Sequence, residues 1–585
     1  MKYVFFLIAV LMIFNAKGIE PIATTGEIDQ RIKMVSDRIM FGNTPEMSSD
    51  FILADISLKP EIKRRFTDFS GDISGRYFDV FSSYPDEKNP VNLRELMNEA
   101  LQYQRPDGRF GNPELLFDPE KLAGPQMALL WGNGRLLVGL MKYYQMDRQS
   151  KVLDAAEKLG DFISGIAHNC TSPEVVERLK DNNYMGYICF TQLMEGLVLL
   201  WDETKNDKYL QTATGVFSLL PSPGKQHSHG YLNTLLGTLM LYERTGKTEQ
   251  LKFVTDRYNE LVNSPEYLIY GGVPEYFGSF GHAKEVRDEG CSEADFVMLS
   301  LDLWKTTGDV EYLEKAERCL INHLFSNQYQ TGDFGHRIID PAIGYGLDKE
   351  IARSWWCCNF HTLRALHETK EIIFTRKDNT VQFNLFFAGA YNDKEIQLTS
   401  EKVNNQSNQF KIQVLKAGTN SRLAVRKPSW ATKVELTFAG KKLKTVQKGD
   451  YHVLDQPLQT GDQIDVELGY KMKWVDKDKR EITFPITGKM QAALFYGPYL
   501  MSVDSNFQPF YDAEPSLSNY IALDGELKFT PELAPAGSTL KNSYVLMQHF
   551  HTEMFGMHPV VLRPICETTW QSPCNIRIWF TISQN

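Results

Sequence analysis

Cysteine is scarce in this chain, at 8 of 585 residues, which is far below the density of a disulfide scaffold. A basic excess is absent too. Lys and Arg total 63 against 73 Asp and Glu, a net charge of −10. An acidic chain repels a phosphate backbone, which argues against a nucleic-acid partner. No Gly/Ser, Gln/Asn or Pro run marks a disordered tail. Beyond the N-terminus no apolar run approaches the roughly 18 residues of a membrane span, so no stable membrane insertion is expected. What is present is an ordinary globular balance, with 23 % charged and 42 % hydrophobic residues. Aromatics reach 12 %, which suits either β-sandwich cores or sugar-stacking clefts. At about 150 residues per domain the length suggests three or four units, and two if one of them is a large barrel.

The one long apolar run lies at the start. Lys2 precedes twelve apolar residues, Tyr3 to Phe14, and Ala16-Lys17-Gly18 places small residues where a signal peptidase reads. This is the pattern of a signal peptide over 1–18. It predicts an exported protein, periplasmic or secreted after cleavage.

Residues 85–371 read as helices, with apolar residues recurring at three and four. A repeat is visible within them. Tyr144, Trp201, Tyr242 and Trp304 each close a helix, are followed by a polar or Thr-Gly turn, and then by a second helix. Gly246 and Gly308 fit helix stops. The spacings between these aromatics, 57, 41 and 62 residues, are too irregular for an open solenoid. Helical hairpins with variable insertions fit a closed (α/α)6 barrel, whose inserted loops would gather at one mouth and build a cleft. An open array of the same hairpins is the alternative. Segment 19–84 is less periodic and is expected to pack on the barrel. From 372 to 585 short alternating strands replace the helices, among them Thr380–Tyr391, Phe410–Leu415 and Lys433–Phe438. Turns punctuate them at Asn392-Asp393, Lys448-Gly449-Asp450 and Thr460-Gly461-Asp462. This spacing predicts a β-sandwich region. The fold class is therefore mainly α, an (α/α)6 barrel followed by a C-terminal β-sandwich.

Two local signals carry chemistry. Ser354-Trp355-Trp356-Cys357-Cys358-Asn359 holds adjacent cysteines, and Asp288-Glu289-Gly290-Cys291 holds a carboxylate beside a third. Adjacent cysteines close a strained ring if they bond to each other, but they can share a metal. Glu289, Cys291, Cys357 and Cys358 make a complete tetrahedral set, and soft thiolates select Zn²⁺ over Mg²⁺ or Ca²⁺. Buried, inert cysteines and a purely structural zinc are the two other readings. Gly271-Gly272-Val273-Pro274-Glu275-Tyr276-Phe277 places a carboxylate among aromatics. Apolar surroundings would raise its pKa and make Glu275 a general acid; a surface loop Glu is the alternative. His227 and His229, at the start of the helix leading to Tyr242, could contact sugar hydroxyls or a metal, or cap that helix.

These motifs resemble the bacterial β-L-arabinofuranosidases of glycoside hydrolase families 127 and 146. Those enzymes carry a Glu-x-Cys followed some way on by a Cys-Cys pair, here Glu289-Gly290-Cys291 and Trp356-Cys357-Cys358. The Gly271–Phe277 loop, the hairpin around Leu301–His323, Arg426–Trp430 and Ala493–Tyr499 continue the likeness, which covers about residues 120–500. It implies that Cys357 is the nucleophile, Glu275 the acid/base, and Glu289, Cys291, Cys357 and Cys358 the Zn²⁺ ligands, with His227 at a substrate-contacting position. It also implies a retaining exo-glycosidase acting on an oligosaccharide or polysaccharide side chain. The sugar-reading shell departs from the family. Thr191-Gln192-Leu193 stands where family 127 often has Gly-His-Leu, and Asn359-Phe360-His361 follows the cysteine pair where Pro-Pro-Asn is common. A polysaccharide lyase or sugar epimerase on the same barrel, and a non-catalytic glycan-binding protein with structural zinc, are the competing readings. Cys566 and Cys574 could pair in an oxidising compartment; Cys170, Cys189 and Cys319 sit in helical patterns and are expected in the core.

Overall fold

The computed structural model describes residues 22–42, 47–180, 186–278, 286–340, 344–346, 356–403, 408–504, 520–523, 529–532, 543–552, 556–568 and 575–584. The predicted signal peptide and Cys574 lie outside these residues. By internal contacts the chain forms two units. One comprises residues 31–369 and 471–585, the other 1–30 and 370–470.

The larger unit holds a ring of six helices: Asp72–Ser83, Gly124–Asp147, Met194–Thr204, Ser228–Thr245, Gly290–Thr307 and, up to residue 369, Trp356–Ile372. Each of the first four packs on the next. The ring closes where Asp295 meets His361, and where Phe360 and Arg364 meet Tyr77 and Asp79. Outer helices such as Ser150–Cys170, Asp207–Val216, Thr248–Val262 and Val310–Cys319 pair with the inner ones. The two layers differ as their positions require. The inner helix Gly290–Thr307 is buried without interruption from Gly290 to Leu301, whereas Val310–Cys319 buries only Leu313, Ala316, Glu317 and Cys319. The second pattern is the single apolar stripe of a helix that faces solvent.

The sequence repeat now has a physical cause. Arg148, Lys205, Gly246 and Gly308 each cap an inner helix in the left-handed conformation, with φ of 55°, 54°, 67° and 75°. The backbone N–H of each donates to the carbonyl of Tyr144, Trp201, Tyr242 or Trp304, four residues back. The aromatics thus mark four copies of one αL helix stop. Asn206 and Asp309 then start the outer helices by accepting from the N–H groups of Lys208 and Glu311. The long connection over 263–289 carries Glu275, Arg287 and Glu289 to the ring.

One boundary differs from the sequence pattern. The first ring helix is Asp72–Ser83, ahead of residue 85. Its polar Ser74, Arg76, Asp79 and Ser82 are all buried, which breaks the apolar period that signals a core helix. Gly75 lets it approach Gly124–Asp147 closely, since a Cβ there would lie 2.4 Å from the Arg135 backbone.

The strand-rich region after residue 372 falls into both units. In the smaller unit, a six-stranded sheet runs in the order Lys441–Lys442, Ala431–Phe438, Gln463–Tyr470, Gln409–Lys416, Gln397–Lys402, Gly389–Asn392. A five-stranded sheet runs Thr445–Lys448, Tyr451–Leu454, Arg422–Arg426, Thr380–Phe383, Phe374–Lys377. Phe383 of one meets Phe410 of the other at 5.7 Å, forming a sandwich core. The run Thr380–Tyr391 is thus two strands in two sheets. In the larger unit a separate sheet joins Val286–Arg287 and Ile338–Asp340 to strands from 472–583. That pairing, Val286 with Ile339 and Arg287 with Ile338, fixes the chain just before Glu289.

Candidate active site

Two helix N-termini converge to make the site. Glu289 is the extended N-cap residue of Gly290–Thr307, and Cys291 lies in its first turn. Cys357 and Cys358 lie in the first turn of Trp356–Ile372. The positive ends of both helix dipoles therefore face the sulfur atoms, which favours thiolate. Gly290 permits the approach, because a Cβ there would meet the Cβ of Cys358 at 3.2 Å and that of Phe334 at 3.3 Å.

The sequence-predicted ligand set is brought together. Glu289, Cys291, Cys357 and Cys358 each offer a ligand atom, all within 4.8 Å of one another. The Cys291 and Cys358 sulfurs are 3.7 Å apart. Glu289, Cys291 and Cys358 are buried, while Cys357 keeps partial exposure. Hydrogen bonds from the Cys291 and Cys358 thiols hold the Cys357 thiol well below its usual value against the cost of burial, with help from the Arg76 guanidinium. Burial pushes the other two thiols up. The one preferred thiolate is thus the accessible one. Burial alone would raise the Glu289 carboxyl, but the charge and hydrogen bond of His227, with His336 and Ser292, hold it low.

Glu275 is drawn to the same wall. His227, Glu275 and Glu289 offer ligand atoms within 4.8 Å of one another, and His227 Nε2 lies 2.9 Å from Glu289. The surroundings of Glu275 differ from the apolar pocket expected. Arg287 donates to both its carboxylate oxygens, and His336 Nδ1 lies 3.5 Å away. The cause is the Val286–Arg287 strand, which sets the guanidinium beside Glu275, where the Glu275 N–H donates to the Arg287 carbonyl at 2.9 Å.

His229 does not present a nitrogen to the cleft. Its Nε2 accepts from Arg76 at 2.7 Å, and its Nδ1 bonds Asp295. Asp295 also bonds His361 and accepts from Asn233 at 2.8 Å. Burial, followed by nearby positive charge that includes Arg76, pushes both imidazoles well below 6.5 and keeps them neutral. Arg76 is itself held by Asp72 at 2.9 Å, which also accepts from the Trp131 indole at 3.0 Å. Trp131 packs edge-on to His229 at 5.1 Å and lies 6.0 Å from His227. Both ring nitrogens of His229 are thus taken by protein groups. Gln192, in the place of the family histidine, is likewise tied into protein, accepting from Arg135 at 3.0 Å and donating to the Trp131 carbonyl at 3.2 Å. Sequence reasoning missed Arg76, Asp295, Arg287 and the role of His361. Helical spacing offered a signal for two of them: Asp295 is four residues after Cys291, and His361 three after Cys358, on the same helix faces. Cys170, Cys189 and Cys319 are buried, as expected. The question of a Cys566–Cys574 pair rests on Cys574, outside the described residues.

No helix among the described residues is long and apolar enough to cross a membrane. No curated protein sequence matches the chain. Solved structures do. A GH127 β-L-arabinofuranosidase from Geobacillus stearothermophilus T6 is similar at 15 % identity and a TM-score of 0.70, over 97 % of this chain and all of that one. The GH127 β-arabinofuranosidase BT3674 is similar at 16 % identity and a TM-score of 0.68, over 97 % and 99 % of the two chains. At such identity these likenesses establish the fold. The family follows from the sequence models, because the GH127 middle-domain model matches residues 380–470 and the GH127 β-L-arabinofuranosidase catalytic-domain model matches residues 76–371. With its catalytic-domain match spanning just over half of its length, the chain belongs to glycoside hydrolase family 127 and is a glycoside hydrolase.

Proposed function

We propose that this glycoside hydrolase is an exported, retaining exo-enzyme that removes β-L-arabinofuranosyl or a related unusual sugar from plant polysaccharide side chains. The observation that carries the reading is Cys357, the one accessible thiol among the described residues, set among three buried ligating groups and beside the Glu275 wall. The arabinofuranosidase activity for which the two similar structures are named favours the arabinofuranosyl reading over other sugars.

The residues fit zinc. With Zn–S bonds of about 2.3 Å, two thiolates on one tetrahedral ion stand about 3.8 Å apart. The Cys291–Cys358 separation of 3.7 Å matches that. Glu289, Cys291, Cys357 and Cys358 would hold the ion. When bound, Zn²⁺ keeps the thiols deprotonated and makes the Cys357 sulfur a better leaving group. In this reading the Cys357 sulfur attacks the anomeric carbon while Glu275 gives a proton to the departing oxygen. Glu275 then takes a proton from water, which displaces Cys357 and restores the original configuration. Arg287 bonds both Glu275 oxygens and is a third exposed, so a leaving-group oxygen reaches Glu275 by displacing one of those bonds. His227 orients Glu289 and offers the cleft a ring edge beside Tyr276.

The test is hydrolysis of an aryl β-L-arabinofuranoside, with proton NMR of the first product. Retention is expected. Cys357→Ser and Glu275→Gln should both fail to turn over, and wild-type rates in either would sink the mechanism. For export, the expected N-terminus of the protein recovered from the producing cell follows Gly18.

A further inference from the structure

A second group of ligating side chains lies in the same unit, outside the thiol site and unused by the mechanism. Asp288, Glu293 and His323 each offer one ligand atom, within 4.8 Å of one another. All three residues are 0 % exposed. His323 belongs to a π-helical stretch, Leu320–Leu324, that follows the outer helix Val310–Cys319. Such widened turns recur at functional positions. This one brings His323 Nε2 to 3.2 Å from Glu293 Oε1 and 4.0 Å from Asp288 Oδ2. The Gly271-Gly272 pair, read in the sequence as a loop before Glu275, makes room for the ring. A Cβ on Gly272 would lie 2.2 Å from His323 Nδ1. Tyr270 stacks on the imidazole at 5.4 Å.

The groups at this point are poorly served by protein. Neither ring nitrogen of His323 makes a hydrogen bond among the described residues, and neither does Glu293 Oε2. An unsatisfied buried polar atom is costly, and two that face one point, His323 Nε2 and Glu293 Oε2, need a common cause; Nδ1 lies on the other side of the ring, toward Gly272. Burial holds the imidazole at about 3, so it is a neutral ring with a lone pair to offer. The Arg337 guanidinium donates to the Asn327 and Gln328 carbonyls. A shared proton satisfies one orphan atom. A cation satisfies both, and the spacings suit it: ligands about 2.0–2.2 Å from one metal stand roughly 3–4 Å apart.

We infer that Asp288, Glu293 and His323 form a second divalent-cation site. Its one nitrogen and its carboxylate oxygens suit Zn²⁺, Mn²⁺ or Fe²⁺, in contrast to the soft thiolate set. Enclosed on all sides, it has no position open to substrate. Its role is to tie the segment entering Glu289 to the π turn, and so to hold the Glu289 side of the thiol site.

The test uses the whole chain, stripped with chelator and titrated with Co²⁺ alone. Two equivalents are expected. One gives intense near-ultraviolet thiolate-to-cobalt absorption, the other only weak visible bands. His323→Asn and Glu293→Gln should bind one equivalent and keep the near-ultraviolet band. Cys357→Ser/Cys358→Ser should lose that band and keep the weak one. A wild type that saturates at one equivalent or none overturns the inference, whether or not the variants fold, and so does a folded His323→Asn that still binds two. Because metal content is read without turnover, failure here is separable from failure of the arabinofuranosidase reading.

Discussion

The helices Gly290–Thr307 and Trp356–Ile372 meet twice, one turn apart, and the two meetings are opposites. At their N-termini Cys291, Cys357 and Cys358 gather with Glu289, and one sulfur stays accessible. One turn deeper Asp295 and His361 meet with His229, and the deeper set closes on itself. Asp295 bonds both imidazoles and Asn233, and Arg76 takes the remaining His229 nitrogen. On the proposed mechanism, reactivity sits at the two helix ends. Rigidity comes from the layer below, where partners are nearly complete. Arg76 links the layers, because it is fixed by Asp72 and His229 while its charge favours the Cys357 thiolate.

The largest expected effect breaks the upper layer. Glu275→Gln should cut kcat/KM by about 10²–10⁴-fold, the usual worth of general acid–base catalysis. Cys357→Ser should cost at least as much, with little change in thermal stability because the residue is partly exposed. The lower layer should respond the other way round. Asp295→Asn keeps the shape but reverses one hydrogen-bond role against a buried imidazole, a penalty of about 1–3 kcal/mol. A clear fall in Tm with a smaller loss of activity is expected, from calorimetry beside kinetics. If Asp295→Asn abolished turnover at unchanged Tm, the division between the layers would be wrong.

The upper layer was legible because paired cysteines are rare and conspicuous, and because the αL stops repeat with an aromatic four residues before each. The lower layer was not. Asp295 and His361 sit among other polar residues of their helices, and their partners His229 and Arg76 come from other inner helices, which only the closed ring brings near. The helix Asp72–Ser83 went unread for the same reason: the polar residues that serve the site destroy its apolar period. Arg287 depends on a strand whose partner, Ile338–Asp340, lies some fifty residues on, a pairing no local pattern reveals. The strands after residue 372 look alike in sequence, so nothing there separates the 380–470 sandwich from the strands that join the larger unit.

A pH experiment sharpens the contrast. His229 and His361 have folded-state values far below 6.5, first from burial and then from Arg76. A depressed value means that the unfolded chain takes up protons the folded chain refuses. Their contribution to stability is complete above about pH 6.5 and is lost progressively as pH falls below it. Asp295 is shifted up, chiefly by burial, so it takes a proton more readily when folded and partly offsets the loss. Between pH 7.5 and 5.5 the wild type should lose more stability than His361→Gln, which keeps a donor toward Asp295 without an imidazole to titrate. Parallel losses in urea unfolding would mean that the network does not titrate as a buried unit.

The smallest effect belongs far from both layers. Gly308 stops the Gly290–Thr307 helix at φ 75°, with no atom near the place of a Cβ. Gly308→Ala therefore meets no steric clash and pays only the backbone strain of a left-handed alanine, about 1 kcal/mol. The chain itself bounds that cost, since Lys205 and Arg148 hold the equivalent conformation at two other stops. Lys205 recovers part of it by lying 4.0 Å over the Trp201 ring, and Arg148 by pairing with Glu203 at 2.5 Å, neither of which an alanine can do. Gly308→Ala should lower Tm slightly and leave kcat/KM unchanged. A loss of activity would mean that strain at the far end of this helix reaches Cys291 through its eighteen residues, and that the lower layer does not hold the helix rigid.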